Sequence, residues 1–309
     1  MLELKNISKY YGKHRALEDV SFCVCENQAV GLLGENGAGK STLLKIISGC
    51  LEPSSGKVLI ENISMEKNPK EAKHNIGFLP EKPPLYPEMT VFEYLSFCVN
   101  LKGVIKAQAK NHLEEVLNIT QLEAVASRKI ANLSHGFKQR VGFASALCAL
   151  PKIILLDEPT SGMDPNQIIA FKKTVRTLSK NHIIILSSHI LSVIQSTCER
   201  VIILGQGKIM TDQFVNKSSQ DSFLISLDAP KNKTIAYLRL LPSVSKIHTS
   251  EKNPNRTDAL VETADAERFP RELFKLASGK QIAILRLQKA ENTLESLYID
   301  TIKQGALTS

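Results

Sequence analysis

The chain has 309 residues, 43% of them hydrophobic and 23% charged, with a formal net charge of +8. That length suits two domains with a large buried core, no apolar run approaches the ~18 residues needed to cross a bilayer, and the start MLELKNISKYYG lacks the apolar block of a secretion signal, so the chain is expected in the cytoplasm. The positive excess is spread along the sequence without a basic tail, a pattern that suits an anionic surface or ligand and offers no specific support for nucleic-acid binding.

In chain order, Leu2–Ser8 and Val20–Val24 alternate as antiparallel strands do. The second lies in VSFCVC, which puts Cys23 and Cys25 on one face, expected to be small buried side chains and not a disulfide or zinc pair. Ala29–Leu33 reads as a buried strand, and GENGAGKST (Gly34–Thr42) leads from it into a helical segment, Leu43–Ser48. GENGAGKS fits G-x-x-x-x-G-K-[ST] in full and in the required strand–loop–helix setting. Its glycines let the backbone curl so that N–H groups face a β-phosphate, and the helix N-terminus adds partial positive charge. Lys40 supplies a full charge to the β- and γ-phosphates, and the Ser41 hydroxyl ligates Mg²⁺. Gly34, Glu35, Asn36, Gly37, Ala38, Gly39, Lys40, Ser41 and Thr42 are therefore the expected nucleotide-binding loop.

Lys57–Ile60 alternates again, and Asn75–Leu79 reads as a buried strand. Thr90-Val-Phe-Glu93 is a capping box before an apolar helix face. Ile153–Leu156 is a second apolar strand, ending in Asp157 and Glu158 at the carboxyl edge of the sheet. Asp157 is expected to hold Mg²⁺ and Glu158 to polarise the attacking water. Asp164-Pro165 supplies an N-cap and a proline at the first helical position. Ile183–Leu186 is a third buried strand. Val201–Leu204 and Lys208–Met210 flank a Gly-Gln-Gly turn. The pattern predicts a parallel α/β core with antiparallel additions.

Leu133-Ser-His-Gly-Phe-Lys-Gln-Arg140, just before the strand that carries Asp157, resembles the LSGGQ signature of ABC-family ATPases. The first ~215 residues as a whole resemble an ABC nucleotide-binding domain. The resemblance implies the ABC-type fold, namely a parallel core sheet with an antiparallel subdomain and a helical signature subdomain, and ATP with Mg²⁺ as ligands. It matches Tyr11 to the aromatic that stacks on adenine, Ser161-Gly-Met-Asp164 to the D-loop, and His189 to the switch histidine at the γ-phosphate. Ser134 and Gly136 would face the ATP of a second subunit, so that two copies of this chain, or this chain and a close relative, sandwich two ATP. Two positions depart from the family pattern. His135 replaces the first signature glycine, and Glu81 stands where the family carries a glutamine that touches Mg²⁺ or the water. A glutamate there can still ligate a hard cation. A similar glutamate, and the phrase Pro84-Leu-Tyr-Pro-Glu-Met-Thr-Val91, resemble the export branch whose permease is a separate chain, including multidrug-type and gliding-motility-type ATPases. The implied partner is a membrane permease, with the ATPase at the cytoplasmic face, and Pro83–Phe97 is the expected docking segment. At least two of its aromatics, Tyr86, Phe92, Tyr94 and Phe97, are expected to pack in the helix core.

Residues 216–221 are polar and serine-rich, a linker between a 1–215 ATPase domain and a 222–309 accessory domain. The latter reads as strand Phe223–Ser226, helix Lys233–Leu241, strand Val244–Thr249, strand Ala259–Glu262, helix Ala266–Ala277, strand Ala283–Leu287 and helix Leu294–Lys303. That order resembles a small ferredoxin-like α+β domain. Asn292–Tyr298 resembles the SLE-x-x-F phrase that closes many exporter ATPases, and His248 and Tyr298 read as surface and packing residues. Two rival functions are weighed. A soluble ABC ATPase on ribosomes or DNA would carry two P-loops or a long coiled coil between P-loop and signature, and this chain has neither. A slow ATP-dependent clamp or sensor fits poorly with Asp157, Glu158 and His189 all in place, while Glu81 keeps that alternative open.

Overall fold

The computed structural model describes residues 1–104, 106–148, 151–215, 221–253 and 256–290. They divide into two compact units, Met1–Val215 and a second within Asn216–Ile299.

In the first unit the elements run β1 (Leu2–Tyr11), β2 (His14–Val24), β3 (Ala29–Leu33), α1 (Lys40–Ile47), β4 (Ser55–Ile60), β5 (Ile63–Ser64), α2 (Pro69–His74), β6 (Ile76–Leu79), α3 (Val91–Leu101), α4 (Lys106–Thr120), α5 (His135–Leu147), β7 (Ile153–Asp157), α6 (Pro165–Leu178), β8 (Ile183–Ser187), α7 (Leu191–Thr197), β9 (Arg200–Gly205) and β10 (Lys208–Phe214). A six-stranded sheet has the order β10-β9-β3-β8-β7-β6. It is parallel except for β10, which returns antiparallel on β9. Every residue of β3, β7 and β8 is buried, as expected for central parallel strands covered on both faces. An antiparallel sheet, β2-β1-β4-β5, packs its apolar side with α1 against the central strands in one core that includes Leu4, Ile7, Val20, Leu32, Leu43 and Leu155. Helices α3, α4 and α5 pack together as a helical layer. The capping box forms as expected: Thr90 accepts from the Glu93 N–H, and Glu93 accepts from the Thr90 N–H at 2.8 Å.

Two expectations about burial are corrected. Cys23 and Cys25 do share a face, but that face is exposed, because Val20, Phe22 and Val24 on the alternate positions enter the core. Of the four aromatics in the docking segment only Tyr94 is buried. Tyr86, which precedes α3, and Phe92 and Phe97 within it remain 42–48% exposed; α3 turns a single stripe (Val91, Tyr94, Leu95, Val99) inward.

The second unit follows β11 (Asp221–Leu227), α8 (Lys231–Leu238), β12 (Val244–Asn253), β13 (Arg256–Thr263), α9 (Arg268–Lys280) and β14 (Ile284–Ala290). Its sheet is antiparallel throughout, in the order β12-β13-β11-β14, which is the βαββαβ arrangement the sequence suggests. Phe223, Ile225, Val261, Phe269 and Leu273 form its core, with the Phe223 and Phe269 rings 5.0 Å apart. Helix α8 starts two residues earlier than expected because Pro230 serves as its N-cap. Asp221, expected in a linker, begins β11. The rest of that linker, the final expected helix with Tyr298 and the side chain of His248 lie outside the described residues.

Candidate nucleotide site

The phosphate loop is built where β3 ends and α1 begins. Gly39 sits at the N-cap of α1 with φ +105°. A Cβ there would stand 2.7 Å from the Ala16 carbonyl and 2.6 Å from Leu17 Cδ2, so only glycine fits. No side chain caps α1 and its first turn carries no acidic residue, which leaves N–H groups and the positive end of the helix for an anion. Lys40 is only 7% exposed. Its ammonium lies over its own loop, donating to the Gly34 carbonyl at 2.7 Å and the Glu35 carbonyl at 3.0 Å. Burial pulls the Lys40 pKa down, while Glu158 and Asp157 act to raise it. A buried cation supported mainly by neutral carbonyls is a strong receptor for phosphate.

The facing wall comes from the carboxyl ends of β7 and β8. The Ser41 hydroxyl donates to Asp157 Oδ1 at 3.1 Å, joining the phosphate loop to β7. Asp157 is 1% exposed, and the same oxygen accepts a second hydrogen bond at 2.7 Å from Ser187 Oγ on β8. The Glu158 N–H donates to that Ser187 oxygen at 2.9 Å. Glu158 itself has φ +46°, a left-handed conformation in a residue that precedes Pro159. Such backbone is held at about 1–3 kcal/mol of strain and persists where its surroundings impose it. Its carboxylate reaches His189, with Oε2 2.7 Å from Nδ1. Since a carboxylate only accepts, Nδ1 carries the proton and Nε2 is left available. Ser41, Asp157, Ser187, Glu158 and His189 thus form one hydrogen-bonded chain.

These walls enclose a cleft of about 660 Å³, lined by Tyr11, Asn36, Gly37, Gly39, Lys40, Ser41, Thr42, Glu81, Glu158 and His189 among the expected residues. Tyr11, at the end of β1, is half-exposed, and Lys9 Nζ stands 5.5 Å from its ring centre. Gly34, Glu35 and Ala38 shape the loop without lining the cleft, and Asp157 stands behind Ser41. The cleft also takes in Ser161, the first residue of the expected D-loop, and His14 and Ala16, which the sequence did not single out. His14 is found there because it pairs with Tyr11 across the β1–β2 turn.

Ser134 and Gly136 do not line this cleft. Ser134 is the N-cap of α5, accepting from the Phe137 N–H, and Gly136 is buried against Gln167, where a Cβ would meet Oε1 at 2.2 Å. Asp164 caps α6 through the Gln167 N–H at 2.9 Å. Ser161 faces the cleft, and next to it a Cβ on Gly162 (φ +71°) would stand 2.8 Å from His135 Cδ2. The Ser161–Asp164 loop therefore runs from the cleft to the start of α5.

A parallel sheet presenting a phosphate loop, a buried aspartate behind the loop serine, and a carboxylate paired with a histidine defines a P-loop nucleoside triphosphatase. Residues 17–161 match the family model described as ABC transporter. The chain is 33% identical over 304 residues to the uncharacterized ABC transporter ATP-binding protein YxlF of Bacillus subtilis (strain 168), covering 98% of this chain and 99% of that protein. It is 30% identical over 312 residues to the bacitracin transport ATP-binding protein BcrA of Bacillus licheniformis, covering 99% of each. Among solved structures it resembles the dimeric post-hydrolysis state of the ATP-binding cassette MJ0796 bound to ADP and Pi, with a TM-score of 0.65, 28% identity and coverage of 70% of this chain and 99% of that one. The chain belongs to the ABC transporter ATP-binding protein family: it is an ATPase and the ATP-binding subunit of a transporter.

Proposed function

We propose that two copies of this chain, or one copy and a close relative, close around two ATP and drive a separate membrane permease, as the motor of an exporter. The observation that carries the reading is the division of labour in the site. Lys40, Ser41, Asp157, Glu158 and His189 gather at or directly behind one cleft, whereas Ser134 and Gly136 stand outside it at the start of α5. A signature that does not reach its own cleft suits a phosphate presented by a partner. The dimeric form of the MJ0796 cassette supports the same arrangement, and the transport named for BcrA supports the coupling.

In this reading the α1 N-terminus, the loop N–H groups and Lys40 hold the β- and γ-phosphates. Ser41 and Asp157 offer hard oxygens 3.1 Å apart, and Glu81 lines the same cleft. That donor set fits Mg²⁺, which when bound would offset phosphate charge. Glu158 accepts a hydrogen bond from the attacking water and polarises it. His189, oriented by Glu158 through Nδ1–H, faces the γ-phosphate and donates to it from Nε2–H when the ring is the imidazolium. Tyr11 stacks on the adenine. Asp164 shapes the Ser161–Asp164 loop that links the cleft to the signature. ATP closes the dimer and hydrolysis releases it, an order-and-release cycle that moves the permease between two states. The exposed Tyr86, Phe92 and Phe97, with Tyr86 edge-to-face on Phe97 at 5.9 Å, offer an aromatic seat for a permease helix. The chain then works peripherally on the cytoplasmic face of the membrane.

The test is the mass of the Glu158→Gln protein in solution with and without ATP. A doubling that requires ATP, and is lost when Ser134 is replaced by Arg, supports the sandwich. A protein that binds ATP yet stays a monomer, alone and in the presence of its relatives, overturns it. Copurification with a membrane protein that lacks a P-loop tests the coupling.

A further inference from the structure

We infer that Ser187 is a positioning residue of the hydrolytic site, holding both carboxylates of the β7 end in working geometry through a single hydroxyl. The inference rests on the roles proposed above for Asp157 and Glu158. Ser187 is the last residue of β8, fully buried, and pairs in register with Asp157 on one side and Leu32 on the other. Its Oγ donates to Asp157 Oδ1 at 2.7 Å and accepts from the Glu158 N–H at 2.9 Å. The first bond orients a carboxylate that Ser41 also contacts at 3.1 Å. The second holds the backbone of Glu158 at φ +46°, a conformation disfavoured for a side-chain-bearing residue before proline. That backbone fixes where the Glu158 carboxylate stands and how it meets His189. Without the hydroxyl, a buried Asp157 oxygen loses one donor and the Glu158 N–H loses its acceptor, so Glu158 is freed to relax into extended backbone. The Ser187 hydroxyl meets the nucleotide loop through the Asp157 oxygen that Ser41 shares, so its task lies with the carboxylates and turnover more than with ATP affinity.

The experiment compares Ser187→Ala and Ser187→Thr with the parent and with Glu158→Gln. Steady-state phosphate release gives kcat and KM, fluorescent-nucleotide titration without divalent ion gives ATP affinity, and electron paramagnetic resonance of free Mn²⁺ gives metal affinity with nucleotide present. Outer partners of metal and catalytic groups typically change activity by roughly 10- to 100-fold. Expected for Ser187→Ala is a kcat loss in that range, ATP affinity and KM within about threefold, weaker Mn²⁺ binding, and recovery of most of the rate in Ser187→Thr. In the Glu158→Gln background Ser187→Ala should remove less further rate than in the parent, because the part of its effect that runs through Glu158 is already lost and only the part through Asp157 remains. The inference is overturned by a Ser187→Ala kcat within about twofold of the parent, or by a loss that follows ATP affinity or melting temperature. If melting shows that Ser187→Ala does not fold, Ser187→Cys, which keeps the volume and weakens the hydrogen bonds, is read by the same criteria. Should Glu158→Gln itself leave turnover unchanged, the proposed role of Glu158 fails first. A collapse in Glu158→Gln with none in Ser187→Ala sinks the Ser187 inference alone.

Discussion

The two units bury different kinds of polar group. In the first, the buried residues include a lysine and an aspartate: Lys40 lines the candidate nucleotide cleft and Asp157 stands directly behind its Ser41. In the second, the buried polar groups among the described residues are hydroxyls, Ser226, Thr234, Ser243, Thr257 and Thr263, around an apolar centre at Phe223 and Phe269. Withdrawing a charge from water is expensive unless a partner compensates it. Among its described residues the second unit avoids it. The first keeps two such charges close to hydroxyls, carbonyls and a strained glutamate, as the hydrolytic role proposed for this cleft requires. Left-handed backbone alone does not separate the units, since Gln281 of the second also adopts it at φ +55°, but Glu158 does so directly before a proline.

The sharpest way to break the contrast is to damage the second core and look for an effect on the first. Phe269→Ala empties the centre of the accessory core and should lower its stability by about 3–5 kcal/mol, read as a urea transition, with ATP affinity unchanged. If ATP binding weakens in step, the two units are not energetically separate. The reverse experiment is Glu158→Gln, which should cut phosphate release at least ~10²-fold, about 2.7 kcal/mol of barrier, while ATP stays bound and the urea transition of the accessory unit stays in place. Gly39→Ala should weaken nucleotide binding at least roughly tenfold in equilibrium titration, because the new Cβ meets the Ala16 carbonyl and the left-handed turn at once. Asp164→Ala removes an N-cap and should lower first-unit stability by ~1 kcal/mol, whereas Asp164→Asn keeps the cap, so a catalytic loss in Asp164→Asn at unchanged stability would isolate a role of the charge.

The smallest effect belongs to the accessory unit and is read by pH. Hydrogen bonds from Ser243, then from Arg268, hold the Glu272 pKa below its ordinary value. A carboxylate depressed on folding adds stability that is present above its unfolded pKa and is lost as pH falls through the folded one. The urea midpoint of Glu272→Gln should therefore lie slightly below that of the parent at neutral pH and converge with it in the acid range. Parallel curves at all pH would show that the charge of Glu272 contributes nothing.

Much of the site was legible because it is local. The strand, loop and helix around Gly34–Thr42 are contiguous, so their phosphate chemistry is written in nine adjacent letters. The same holds for the capping box at Thr90–Glu93 and the Asp164-Pro165 helix start, where partners are three residues apart. The apolar runs of β3, β7 and β8 announced covered parallel strands. Alternation also put Cys23 and Cys25 on one face, but which face meets a second layer depends on what packs there, and that expectation failed. The expectation that at least two of the four aromatics from Tyr86 to Phe97 pack inside failed likewise, since only Tyr94 does, because an aromatic in a helical stretch carries no label for the stripe that turns inward.

What the linear order of residues determined by itself was the phosphate loop, the acidic end of β7, the parallel character of the central strands and the βαββαβ succession of the second unit. Sheet order and register had to come from folding in three dimensions. They set Ser187 opposite Asp157 across thirty residues of sequence, brought His14 and Ser161 to the cleft, and laid Gly162 against His135. The reason is physical: hydrogen bonding within a turn depends on neighbours along the chain, whereas the pairing of distant strands is chosen by the burial of whole faces, which no short stretch of sequence encodes.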